Sequence, residues 1–542
     1  MDKALPSPRS VVPPSRAFYV WLAVFAGGLV VLYASITAQV WEDYYITFRS
    51  SRNLVEGAGL VFQPGERVHT FTSPLGVLVP ALGYWLTGSD AGALWFLRLV
   101  SAAAVGYAAW VVLTHLREHA TQTVLTLTIA FCLGVAEAKQ IAFSANGMET
   151  GLLLLFTALT WQELTRPGGA RWPHLAFSYA ALMWTRPDAF VPAGAMTLSW
   201  FLFQPQRAEE KKQWLKPVVG GILIGGLFYV PWFAWAWHYY GSPVPQTIIA
   251  KSAYIPDGFS LSKLWQAPFQ LFRLNAQLDG LFAPPYYTIS GWPAIIMIPL
   301  QALGRLAALV WIIPTVSRSA RAASFATLIG GIYLDQIMPF PWYFSPWTLL
   351  GAIALTGLVD LGARSMRGWV QSATRIAATL TSSIALGLFA CSVVTAYHQQ
   401  LIVEELGRKQ IGLWLRENAR PSDTVFLEPL GYIGYFSQLK TYDIPGLSSR
   451  EVTALVKAGQ KSHVKLIAAL QPDWVVLRPQ EYAGLNMGAS EVMKNYVPTG
   501  ISDRREMVAS VLFLPGRMLL EFDAVFIIYR RQPNPNIAEP NR

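Results

Sequence analysis

The chain has 542 residues, of which 53% are hydrophobic and only 14% charged, against roughly a quarter charged in an average soluble domain. With 21 Trp, 22 Tyr and 28 Phe and a mean hydropathy of +0.35, this composition excludes an ordinary soluble enzyme and predicts an α-helical polytopic membrane protein. The net charge of +10 does not point to nucleic acid, because no basic run is interleaved with aromatics as a nucleic-acid groove requires.

Taken in chain order, apolar stretches fall near residues 18–38, 92–114, 121–136, 148–164, 173–185, 188–203, 217–237, 293–316, 322–340, 343–363 and 374–397, which makes about eleven crossings of a hydrocarbon core about 30 Å thick. The first follows Arg9 and Arg16 but carries bulky Ile36 where a cleavage site needs a small residue, so it reads as a retained helix. Pro74 to Thr87 is short for a span and reads as interfacial or re-entrant. Cys132 and Cys391 lie in apolar stretches as packed thiols. They argue against a disulfide framework, a metal site or a Cys nucleophile.

With a cytoplasmic N-terminus, Arg117, Arg166, Arg171, Arg207, Lys211, Lys212, Lys216, Arg318, Arg321, Arg364, Arg367 and Arg375 all fall on the cytoplasmic side, as the positive-inside bias demands. The positive excess is thereby explained by orientation. An odd number of crossings then places the C-terminus outside.

After residue 398 the pattern becomes that of a soluble α/β domain. Residues 401–418 are amphipathic, 424–428, 474–478 and 525–529 read as strands, and 449–469 reads as helical. The expected organisation is a membrane domain over 1–397, whose first outer loop covers 39–92, an outer α/β domain over 398–531, and a disordered tail over 532–542.

That first outer loop holds the most chemistry. It opens with Trp41-Glu42-Asp43-Tyr44-Tyr45-Ile46-Thr47-Phe48-Arg49. A carboxylate just beyond a membrane helix is partly desolvated, which raises its pKa and makes it a better base. The same pair fits a solvated loop or a cap for the next helix equally well, and spacing does not choose between these.

The string EDYYITFRSSRNLVEGAGLVFQPGERVHTFTSPL resembles the first periplasmic loop of GT-C glycosyltransferases, especially the family containing the mycobacterial terminal β-(1→2)-arabinofuranosyltransferase. That family shows Asp-Asp-aromatic-aromatic-Ile-Ser/Thr-Phe-Arg, then Asn-Leu-x-x-Gly-x-Gly-Leu-Val and Pro-Gly-Glu-x-Val. Further matches are Asn146-Gly147-Met148-Glu149-Thr150, Thr185-Arg186-Pro187-Asp188, Tyr239-Tyr240-Gly241-Ser242-Pro243-Val244-Pro245 before Lys251, Phe340-Pro341-Trp342-Tyr343, and Gly431-Tyr432-Ile433-Gly434-Tyr435. The resemblance implies the GT-C fold, a polyprenyl-phosphate sugar donor, a glycan or glycolipid acceptor, and an active site outside a bacterial plasma membrane. It also implies that an acid of this loop is the general base. Glu42 stands where the family usually has Asp, so the role carries over to Asp43 first and to Glu42 only with it.

Departure of a polyprenyl phosphate calls for cations where negative charge develops. Arg186, Lys251 and Arg49 are the candidates. Arg186 equally suits an ion pair with Asp188 or an interfacial snorkel, and Lys251 and Arg49 suit solvated surface charges somewhat better than phosphate contacts. Tyr44, Tyr45, Asp188, His238, Trp342 and Tyr343 are candidate substrate contacts, although an interfacial aromatic belt explains most outer aromatics. Glu149 reads as a charge at a helix N-terminus, and Arg305 lies inside an apolar stretch, where an ionisable group points to function. No HExxH, GxSxG, P-loop or DxD occurs, so neither cofactor nor metal is expected. The rival readings are a lipid-linked sugar flippase or transporter, and a protein O-glycosyltransferase or lipid A sugar transferase of the same fold. The sequence shows no internal repeat of the kind a transporter commonly carries.

Overall fold

A computed structural model of the chain describes residues 15–532, apart from 120–122, 205–207, 255–260, 272, 274–275, 338, 485–486 and 512. The tail expected to be disordered lies, beyond Gln532, outside the described residues. Among the described residues, five helices are long and apolar enough to cross a membrane: Arg16–Thr37, Asp90–Arg117, Trp214–Tyr240, Pro341–Ala363 and Gly368–Asn418. Val124–Val135 and Ala138–Ala145, bent by 45°, together make a sixth. The other expected crossings fold as Thr150–Leu164, Trp172–Thr185, Phe190–Phe203, Ala294–Ala307 and Arg318–Asp335. Most of these have only 14 or 15 residues, short of the roughly 20 that a perpendicular span needs. Pro74–Thr87 forms a separate 14-residue helix capped by Ser73.

Small residues bring the long helices together. A Cβ on Gly27 would lie 2.7 Å from the carbonyl oxygen of Ala102, and one on Gly106 would lie 2.9 Å from that of Ala23. The first helix thus meets Asp90–His119 backbone to backbone, the mode of contact that favours small residues where lipid supplies no hydrophobic drive.

The helix from Gly368 runs on to Asn418 and leads into a five-stranded sheet. Its strands are β1 Thr424–Leu427, β2 Lys440–Asp443, β3 Trp474–Leu477, β4 Tyr496–Asp503 and β5 Val525–Arg531, in the order β2-β1-β3-β5-β4. β1 pairs in parallel with β2 and β3, whereas β5 is antiparallel to both β3 and β4. Strands β2 and β4 escape the hydrophobic pattern for physical reasons. β2 alternates half-buried with buried residues over only four positions, and β4 is an exposed edge carrying Pro498 and a bulge before Gly500. The stretch 449–469 is two helices, Arg450–Lys457 and His463–Leu470, separated at Gly459, whose φ of +85° is left-handed.

Each face of the sheet is covered. Val425, Leu427, Trp474, Val476, Phe526 and Ile528 pack with Leu415 and Ile433 on one side, and there Ile46 and Phe62 of the first loop join the same core. Phe426, Val475, Leu477 and Tyr529 pack on the other side with Val452, Val456, Leu466 and Ile467. The first loop and the sheet therefore share one interior.

Candidate active site

Trp41 starts the Glu42–Val55 helix without a side-chain cap, which puts Glu42 and Asp43 in its first turn, where the helix dipole favours carboxylates. Successive residues on a helix diverge by about 100°, so the two acids enter different surroundings. Glu42 reaches the sheet domain. Its Oε1 accepts the Gly431 amide at 3.0 Å, and its Oε2 lies 3.4 Å from Arg408 Nη1. Arg408 also pairs with Glu404 and Asp523 at 3.0 and 2.6 Å. Burial pushes the Glu42 carboxyl up to about 8, with Arg408 pulling against it.

Asp43 is half-buried, and no hydrogen bond or ion pair satisfies its carboxylate among the described residues. Burial raises its pKa; Lys251 acts most strongly in the opposite sense, Glu149 and Glu428 add to the rise, and Arg186 also lowers it. Lys251, on the Gln246–Tyr254 helix, is likewise without an ion pair among the described residues. Burial lowers its pKa, and Asp43 is the anion that most opposes the fall. Each residue is thus the other's strongest opposite charge, and neither is committed to a contact pair.

Arg186 follows the Trp172–Thr185 helix, and Pro187 after it starts a short turn. Its guanidinium is 4% exposed and held from two sides. Nη1 donates to Glu149 Oε1 at 3.0 Å, while Nε and Nη2 donate to the two Asp188 oxygens at 2.9 and 3.3 Å. Tyr333 steadies Asp188 through a 3.0 Å hydrogen bond. Glu149 does precede the Thr150–Leu164 helix, but its side chain does not cap it; it pairs with Arg186 instead.

The Phe340-Pro341-Trp342-Tyr343 segment supplies the aromatic floor. Lys251 Nζ sits 4.3 Å from the Phe340 ring centre, and the Arg186 guanidinium carbon 4.2 Å from that of Tyr343, a geometry in which the ring quadrupole attracts the cation. Trp342 stacks on Phe340 at 4.9 Å and meets Trp41 edge-on at 6.0 Å, while Trp41 stacks on Tyr286 at 6.0 Å.

Four expected site residues lie elsewhere. Arg49 is 2% exposed, donates to Gly434 O at 2.8 Å and to Gln63 Oε1 and Gln438 O at 3.3 Å, and rests over the Phe62 ring. It ties the first loop to the sheet domain and makes its hydrogen bonds away from the site. Tyr44 is buried, stacked on Phe48 at 5.1 Å, in space left by Gly147, where a Cβ would come 2.6 Å from the ring. Tyr45 packs against Tyr432, Tyr435 and Phe436, so both tyrosines belong to the seam between the two parts. His238 is exposed in the last turn of its helix. Arg305 forms a two-pronged pair with buried Asp279 at 2.6 and 2.7 Å, a structural role. Both cysteines are free.

Glu428 was not a candidate from sequence. It follows β1, its carboxylate lies 2.7 Å from Arg478 Nη2, and its charge acts on both Glu42 and Asp43. Its position just past the carboxyl end of a parallel strand is the signal that marks sites in α/β sheets.

Parts of the chain are similar to known proteins. Over 332 residues the chain is 25% identical to the terminal β-(1→2)-arabinofuranosyltransferase of Mycobacterium tuberculosis, covering 54% of this chain and 51% of that protein. It is 27% identical over 261 residues to the Corynebacterium glutamicum protein of the same name, covering 43% and 36%. The chain thus spans about half the length, or less, of the curated relatives it matches. A family model described as a domain of unknown function (DUF8728) matches residues 395–516. The crystal structure of ArnT from Cupriavidus metallidurans bound to undecaprenyl phosphate superimposes with a TM-score of 0.51 at 13% identity, covering 97% of this chain and all of that one. The chain has the fold of this ArnT structure. In this chain Arg186 pairs directly with Glu149 and Asp188, and the charges of Arg186 and Glu149 act with that of Lys251 on Asp43, so four separated segments contribute to one charged cluster.

Proposed function

We propose that this chain is an inverting, membrane-embedded glycosyltransferase, with Asp43 as general base, that moves a sugar from a polyprenyl-phosphate donor to a glycan or glycolipid acceptor outside a bacterial plasma membrane. The observation that carries the proposal is that Asp43 and Lys251, neither in an ion pair among the described residues, are each other's strongest opposite charge, with the charge of the doubly clamped Arg186 acting on both. The undecaprenyl phosphate in the ArnT crystal structure supports a lipid-phosphate donor. The names of the curated relatives support arabinofuranose as the sugar.

In this reaction an acceptor hydroxyl oxygen bonds to the anomeric carbon as the bond from that carbon to the phosphate oxygen breaks. The electron pair leaves with the polyprenyl phosphate and the hydroxyl proton passes to Asp43. A raised carboxylate pKa suits a base that must take this proton. Lys251 is free to meet the charge growing on the leaving phosphate, and Arg186 is fixed in place for a planar contact with it. Direct displacement with one base inverts the anomeric centre.

The test is transfer by purified protein in lipid nanodiscs, with a synthetic polyprenyl-phosphate arabinose and an oligosaccharide acceptor. Asp43→Asn is expected to slow transfer at least about a hundredfold, and transfer at the wild-type rate would refute the assignment. Movement of the donor across a vesicle membrane without a new glycosidic bond would identify a flippase.

A further inference from the structure

A second cavity lies apart from this site. It has a volume of about 340 Å³, and its walls come from the first outer loop, the end of the Trp214–Tyr240 helix, the Gln246–Tyr254 helix and the Arg450–Lys457 helix of the outer domain. Ile249 lines it, whereas Lys251 serves the other site from the same helix, roughly 200° around the axis. The two spaces are therefore separated by that helix.

The chemistry of the lining is one-sided. Arg450 and Lys457 bring positive charge, and among the described residues no carboxylate lines the cavity. Arg450 Nη2 donates at 2.7 Å to the carbonyl oxygens of both Arg67 and Tyr240, which pins the guanidinium and leaves Nε and Nη1 without partners among the described residues. Lys457 has no ion pair among the described residues. His69 is 4% exposed and stacked on Tyr240 at 4.4 Å, and neither of its ring nitrogens has a partner among the described residues. A buried polar group without a partner calls for an explanation, and a ligand supplies one. Tyr240 ends a candidate membrane span and Trp237 is exposed one turn earlier, as interfacial aromatics are. A bilayer boundary at these residues would set the cavity at headgroup level.

We infer that this cavity binds the phosphate of an anionic membrane lipid, which would tether the outer domain to the bilayer. The Arg450 fork suits two phosphate oxygens, the neutral His69 ring can donate to a third, and Lys457 adds a point charge.

The experiment is titration of the full-length protein in detergent with dihexanoyl phosphatidylglycerol, followed by native mass spectrometry, with dihexanoyl phosphatidylcholine, inorganic phosphate and a neutral arabino-oligosaccharide in parallel. Lys457→Gln is expected to weaken phosphatidylglycerol binding about fivefold, and addition of Arg450→Gln about fivefold again, while Lys494→Gln on the far edge leaves it unchanged. Since Arg450 also holds backbone carbonyls, Lys457→Gln and His69→Asn serve as the variants that keep those contacts. Equal binding of the two lipids, unchanged phosphatidylglycerol affinity in all the cavity variants, inorganic phosphate binding as tightly as the lipid, or substitution effects confined to the oligosaccharide would each overturn the inference.

Discussion

The Nη1 of Arg186 donates to Glu149 Oε1 at 3.0 Å, and both side chains are buried. This bond joins residues 37 positions apart and fixes the cation beneath which Tyr343 lies. Asp43, close enough for both charges to act on it, is left free.

The contrast makes a stability prediction. Breaking a buried ion pair by removing one partner costs about 3 kcal/mol, so Glu149→Ala is expected to lower the melting temperature clearly. Asp43 behaves in the opposite way. Its folded pKa is raised, so the ionised carboxylate disfavours the folded state above that pKa, and Asp43→Asn is expected to keep or gain stability at pH 7. Thermal unfolding of both variants in detergent checks this. Destabilisation by Asp43→Asn as large as that of Glu149→Ala would make Asp43 structural.

The pH profile gives a test with a defined sign. The base acts when ionised, so kcat/KM rises with pH through its pKa. Lys251 holds that pKa down and Glu428 pushes it up. Lys251→Met is therefore expected to move the acid limb to higher pH, and Glu428→Gln to move it lower. If neither substitution displaces the limb, a different group titrates.

Arg49 separates the sequence expectation from the structure. Its hydrogen bonds go to Gly434, Gln438 and Gln63. Arg49→Lys is expected to cost about 2 kcal/mol of stability with KM for the donor unchanged, whereas Lys251→Met raises that KM. Steady-state kinetics with varied donor distinguish the two, and a donor KM raised by Arg49→Lys would restore it to the site.

Gly431 has room for no side chain. A Cβ there would come 2.1 Å from the Glu42 carbonyl oxygen, so Gly431→Ala is expected to pry the sheet domain from the first loop, at a cost of about 1–3 kcal/mol. Faster limited proteolysis between the two parts is the expected readout, and an unchanged digestion pattern would argue against a tight seam.

Composition and spacing determined the membrane class, the helical stretches, three strands of the outer sheet and, through resemblance, the importance of the loop around Asp43. These follow from local properties: apolar length, alternation and a long run of matched residues. Tertiary structure alone decided which charges are free. Arg49 and Lys251 both read as cations in outer segments, yet one is tied to backbone carbonyls and the other is unpaired. Glu42 and Asp43 are neighbours in the chain, but the helical turn sends one to Gly431 and Arg408 and leaves the other beside Lys251. Whether a charge is available depends on partners brought from hundreds of residues away, such as Gly431, Gly434 and Glu428, and no local pattern encodes them.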